Sequence, residues 1–140
     1  MWRRLLLSAG LALASAAAAA GGAASYEQLC SACHQADGAG LPGMAPPLRA
    51  EVWKRLGAKA PAYLAQMLVQ GASGLTLDGA YYPGPMPTWA DLSDAQLQEL
   101  ASYVLKDLNG VAVKVSADAF AQARKSSLSK AQLQALREGH

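Results

Sequence analysis

Residues 30–34 read C-S-A-C-H, two cysteines separated by two positions and followed at once by a histidine. The 140-residue chain has 2 Cys and 2 His in all, so this stretch holds both thiols and one of the two imidazoles. Four chemistries use these residue types at this spacing: a disulfide, a structural zinc site, a thioredoxin-like redox pair, and covalent haem attachment. Zinc wants four Cys or His ligands, and beyond the motif the chain offers only His140, at its extreme C-terminus. The redox pair needs a βαβ setting, and no segment alternates with period two to build one. A disulfide explains neither the adjacent His34 nor the long Gly/Pro loops that follow. Haem attachment explains all of it. In an oxidising compartment, two thiols on one helical face each add to a vinyl group along one porphyrin edge, and the next residue places its imidazole under the iron. One haem c, covalent through Cys30 and Cys33 with His34 as a ligand, is the expected cofactor.

The elements that must position this motif follow from local pattern. Tyr26, Leu29, Cys30 and Cys33 fall at i, i+3, i+4 and i+7, one face of a helix, so both thiols point the same way. Residues 35–50 carry Gly and Pro too densely for helix or internal strand and read as a long loop. Pro61 suits a first helical turn, Leu64, Met67 and Leu68 give an apolar stripe, and Gly71 supplies a stop. Residues 71–92 return to loop chemistry around Y-Y-P-G-P-M-P-T-W. Ser93 and Gln96 then form an S-x-x-Q capping box, and Leu97, Leu100, Ala101, Val104, Leu105 and Leu108 repeat at helical spacing up to Asn109-Gly110. A second such box at Ser129 and Gln132 predicts one or two short amphipathic helices in the tail, and residues 115–140 are expected to pack back on the preceding domain through Phe120, Leu133 and Leu136, the alternative being a mobile extension. The expected fold is all-α, helices joined by long loops.

The N-terminus reads as an export leader: M-W-R-R, an uncharged apolar run over residues 5–20, then small residues. The expected division is a signal peptide over 1–24, a haem domain over 25–110 and a short helical extension over 111–140. The alternative for the leader is a retained anchor tethering the protein to the inner membrane, and a membrane enters only in that case. Without the leader about 115 residues remain, one small domain whose own core is marginal, so a buried porphyrin would supply what the chain lacks. The formal charge of +2 comes from Arg3 and Arg4. Residues 25–110 hold five Lys/Arg against eight Asp/Glu, and residues 111–140 five against two. No basic stripe with interleaved aromatics appears, so nucleic acid is not expected as a partner.

From Ser25 to about Asn109 the chain resembles the monohaem class I cytochromes c: a helix bearing C-S-A-C-H, a Gly/Pro loop ending in Pro46-Pro47-Leu48, a middle helix, a methionine loop and a last helix. The resemblance implies a small all-α shell around one haem and single-electron transfer, not catalysis. It also implies that the Pro46 carbonyl accepts a hydrogen bond from Nδ1 of His34 and that Leu48 packs on the haem.

Three methionines follow the leader. Met67 lies on an apolar helical stripe and reads as core, while Met44 sits in the stretch that resembles the family's proximal loop. Met86, stiffened by Pro83, Pro85 and Pro87, matches the distal methionine that precedes the last helix, so His34 and Met86 are the expected iron ligands. Iron closed on both sides has no site for substrate, which suits outer-sphere transfer. Trp89 is expected to brace the loop or touch the haem edge, with a propionate as a partner for its N–H; Trp53 and Arg49 could equally bond propionates, although a lone tryptophan and a lone arginine are more often core or surface residues. The expected function is a periplasmic electron carrier between redox proteins, a dehydrogenase as donor and an oxidase or reductase as acceptor. Y-x-G-x-M-P-x-W over residues 82–89 is also similar to the methionine loop of cytochromes that accompany dehydrogenases. A haem subunit of a dehydrogenase or terminal oxidase complex is therefore the second reading.

Overall fold

A computed structural model describes residues 21–140. The expected leader falls outside the described residues except for residues 21–24, and among the described residues no helix is long and apolar enough to cross a membrane. These residues form seven helices: α1 (Gly22–Leu29), α2 (Ser31–His34), α3 (Val52–Leu56), α4 (Ala60–Gln70), α5 (Asp94–Ser102), α6 (Ala117–Ala123) and α7 (Lys130–Glu138). A 3-10 turn, Gly57–Lys59, leads into α4, and α5 runs on into a wider π turn, Tyr103–Leu108. The fold is mostly helical, as expected of a small cytochrome c.

Helix α1 crosses the end of α5. Gly22 makes the approach possible, because a Cβ there would stand 2.2 Å from the Glu99 carbonyl oxygen and 2.8 Å from Tyr103 Cβ. The rings of Tyr26 and Tyr103 then meet at 5.2 Å between centroids, tilted by 47°. Helix α4 is the hub. Pro61 sits in its first turn, Gly71 ends it with φ 69°, and it is buried on nearly every side. Both capping boxes form: Gln96 N–H donates to Ser93 Oγ (3.2 Å) and Ser93 N–H to Gln96 Oε1 (2.9 Å), with the same pair at Ser129 and Gln132.

The structure departs from the sequence-based expectation in two places. Residues 71–92 are not all loop: β1 (Leu75–Leu77) and β2 (Ala80–Tyr82) form an antiparallel hairpin. Its two-residue turn is Asp78-Gly79, with φ 50° and 82°, both left-handed as a type I′ turn demands. The motif helix is broken at Cys30 (φ −118°, ψ −33°), so α1 and α2 are separate pieces. The tail packs back on the haem domain and shares its core. Phe120 is fully buried, Val111, Val115, Ala123 and Leu133 join the same cluster, and α6 lies along α4, while Leu136 stays at the rim.

Candidate cofactor site

Between α1–α2, α4, α5 and the two long loops lies a mainly apolar cavity of about 410 Å³, a size ordinary for cofactor sites. All seven residues singled out from the sequence line it: Cys30, Cys33, His34, Pro46, Leu48, Met86 and Trp89. Leu64, Leu68, Leu100 and Val104 complete its apolar walls.

The motif presents two unpaired thiols and one oriented imidazole. Burial, helped by the neighbouring Cys33, pushes the Cys30 thiol up to about 11, whereas the Cys33 side is open to solvent. His34 Nδ1 lies 2.8 Å from the Pro46 carbonyl oxygen. A carbonyl can only accept, so Nδ1 carries the proton and Nε2 keeps a free lone pair. Burial also lowers the pKa of His34, partly offset by the Pro46 bond, which favours the neutral ring that a metal needs.

The loop that supplies Pro46 is irregular yet tied. Gly40 N–H donates to the His34 carbonyl (2.9 Å), Leu41 and Ala45 exchange both backbone bonds, and Leu48 N–H donates to the Gly38 carbonyl (2.8 Å). The Leu48 carbonyl then accepts from Trp53 Nε1 (2.7 Å) and Asn109 Nδ2 (2.8 Å), which holds the Leu48 side chain on the cavity wall. Trp53 is thus a buried core residue with its indole N–H engaged, and Arg49 is exposed. Asn109, read from the sequence only as a helix stop, links the end of the π turn to the loop, since its Oδ1 also accepts from Ala50 N–H (3.0 Å).

Met86 comes from a separate segment fixed to the end of α4. Met86 and Ala72 exchange backbone bonds of 2.7 and 3.1 Å, Thr88 Oγ1 donates to the Val69 carbonyl (2.5 Å), and Trp89 N–H to the Leu68 carbonyl (2.8 Å). Gly71 permits this contact, since a Cβ there would lie 2.5 Å from the Met86 carbonyl oxygen. Met44 and Met67 also line the cavity. Met67 is buried on α4, as its spacing implies, and Met44 is 55% exposed in the loop that carries Pro46. Sequence reasoning missed Thr88 and Gly71 as supports; for Gly71 a signal existed, its place as the stop of α4.

A protein-family model described as cytochrome c oxidase, cbb3-type, subunit III matches residues 17–104. The chain belongs to this cytochrome c family. It is 37% identical over 103 residues to a cytochrome c-552 of Thermus thermophilus, covering 71% of this chain and 65% of that protein. To a second Thermus thermophilus cytochrome c-552 it is 35% identical over 89 residues, 61% of this chain and 66% of the relative. The matches therefore span about two thirds of the relatives' length. A cytochrome c of class I implies haem c, and the donor set fits it. Two thiols at C-x-x-C spacing, a neutral imidazole with its tautomer fixed, and a thioether all border one apolar cavity.

Proposed function

We propose that this cytochrome c is a single-electron carrier whose haem c is held by thioethers from Cys30 and Cys33 and ligated by His34 and Met86. The arrangement of those four side chains around one apolar cavity carries the reading. When bound, haem c supplies a reversible ferric/ferrous couple. The chain's own residues do the rest. Pro46 keeps the His34 proton on Nδ1, and the leucines of α4 and α5 exclude water. The segment tied to α4 offers Met86 as a soft second ligand, and a soft sulfur favours the reduced state and raises the potential. Were His34 and Met86 both to ligate the iron, no position would be left for a substrate.

Among the three cavity methionines, Met86 is favoured because its backbone is locked on both sides by Ala72. Met44 belongs to the same loop as the His34 acceptor. Trp89 lines the cavity half-buried, and its indole N–H is suited to a haem propionate. Reading residues 1–24 as an export leader supports a periplasmic carrier that passes electrons between a dehydrogenase and an oxidase or reductase. The second reading, a haem subunit of an oxidase or dehydrogenase complex, is favoured by the description of the matching family, which names an oxidase subunit. Purification from periplasm and membranes separates the two. A carrier elutes near its monomer mass, and a subunit co-elutes with its enzyme. A mass spectrum of the same material without a covalent haem mass would overturn both.

A further inference from the structure

The tail lies beyond the stretch matched by the family model, which ends at residue 104. It grips the chain at points that bracket Met86. Arg124, just after α6, donates to the Ala90 carbonyl (2.6 Å), the Leu92 carbonyl (2.7 Å) and Asp94 Oδ1 (2.9 Å). These acceptors form the short connection between the methionine loop and α5. On the other side of Met86, Gln70 at the end of α4 exchanges bonds with the Leu128 backbone, 2.8 Å to its N–H and 2.9 Å to its carbonyl. Gln70 immediately precedes Gly71-Ala72, the stretch that pairs with Met86. Farther along, Arg137 donates to Asp78 Oδ2 (2.6 Å) in the hairpin turn, and its guanidinium lies 5.8 Å above the Tyr63 ring.

We propose that residues 111–140 are a positioning element for Met86, with Arg124 as the principal residue. This rests on reading Met86 as the distal iron ligand. An exposed ion pair such as Arg124–Asp94 contributes little alone. The planar guanidinium, however, satisfies two backbone carbonyls and a carboxylate in one fixed fork, which Lys cannot imitate. Lifting the methionine loop means breaking that fork or moving α6, and α6 is anchored by the fully buried Phe120. Local opening of the loop is thereby tied to a larger opening of the tail.

The test uses the haem-loaded full chain and three measurements: the far-red sulfur-to-iron band of the ferric form, the rate of carbon monoxide binding to the ferrous form, and the thermal midpoint. Arg124→Gln is expected to speed carbon monoxide binding by roughly tenfold, the scale of one or two lost net hydrogen bonds. Arg124→Lys, which keeps the charge beside Asp94 without the fork, shifts in the same direction. Tyr26→Phe, which removes a hydrogen bond to the Gln35 carbonyl away from the tail, lowers the midpoint but leaves carbon monoxide binding at the wild-type rate. If Arg124→Gln binds carbon monoxide at the wild-type rate, or if the rate simply follows the midpoint in all variants, the positioning role is wrong. A wild type that lacks the band and binds carbon monoxide at once overturns the Met86 reading, and the proposal with it.

Discussion

Replacing Gly71 by Ala should loosen the methionine loop more than a methyl group added at any other described glycine. The backbone there has φ 69° and ψ −175°, a region essentially reserved for glycine, and forcing a side chain into it costs about 1–3 kcal/mol. The added Cβ would also stand 2.5 Å from the Met86 carbonyl oxygen and 3.1 Å from Pro87 C and Thr88 N, all backbone atoms that cannot rotate away. Relief requires the two segments to part, which strains the 2.7 and 3.1 Å bonds between Ala72 and Met86. Those are worth about 0.5–1.5 kcal/mol each. Together the loss is roughly 2–6 kcal/mol.

The assay is a thermal melt of the haem-loaded protein beside its far-red absorption. The midpoint should fall by at least roughly 6 °C for a domain of this size. The sulfur-to-iron band should weaken well below the melting range, because the strain is directed at the segment carrying Met86. A midpoint within about 2 °C of wild type, with the band intact, is too small for this loss and would refute the reasoning.

Met86→Ala should abolish the far-red band and admit carbon monoxide to the ferrous protein, whereas Met44→Ala and Met67→Ala keep the band; absorption spectra of the three variants check this. Tyr26 donates its hydroxyl to the Gln35 carbonyl (2.7 Å), and burial raises its pKa from 10.0 to about 12. The unfolded chain then loses this proton first, so stability held below pH 10 falls as pH rises toward 12. Tyr26→Phe should remove that part of the alkaline loss while costing about 0.5–1.5 kcal/mol at neutral pH, read from denaturant melts at pH 7 to 12. Phe120→Ala should cost about 3–5 kcal/mol, since the ring is fully buried against α4; a loss under about 1 kcal/mol would mean that α6 is not part of the cooperative core.

What was legible in the sequence was what neighbouring residues decide among themselves. C-S-A-C-H spans five positions, and each capping box spans four, so both could be read directly and both formed. Helix α4 declared itself through Pro61, its apolar stripe and Gly71. The hairpin was missed because strands of three residues are too short to show a period of two. Its signal was the Asp78-Gly79 pair, whose left-handed turn is the part that is chemically specified. The bonds of Asn109 to Leu48 and of Arg124 to Ala90 and Leu92 join residues 30 or more positions apart. Residue type alone names a donor in such cases and leaves its acceptor open. For the tail, Phe120 and Leu133 mark an apolar face that packs back on the domain, and the fold shows that α4 receives it.

The two long Gly/Pro segments look, in the sequence, like places where structure stops. Physically they are the mounts of the site. A helix uses up its backbone hydrogen bonds internally, so it can aim a side chain but has few backbone groups left to steady another residue's ring. An irregular segment keeps carbonyls and N–H groups free for that purpose. The Pro46 carbonyl fixes the His34 tautomer, and the Leu48 carbonyl receives two side-chain donors. Met86 spends its own N–H and carbonyl on Ala72, leaving the thioether as its only uncommitted group. The prolines limit the alternatives each segment has when its bonds break, and the glycines let it approach the helices closely enough to form them. Both candidate iron ligands are therefore held by main-chain geometry, which side-chain substitution on the exposed surface of these loops leaves intact and which a single Cβ at Gly71 does not.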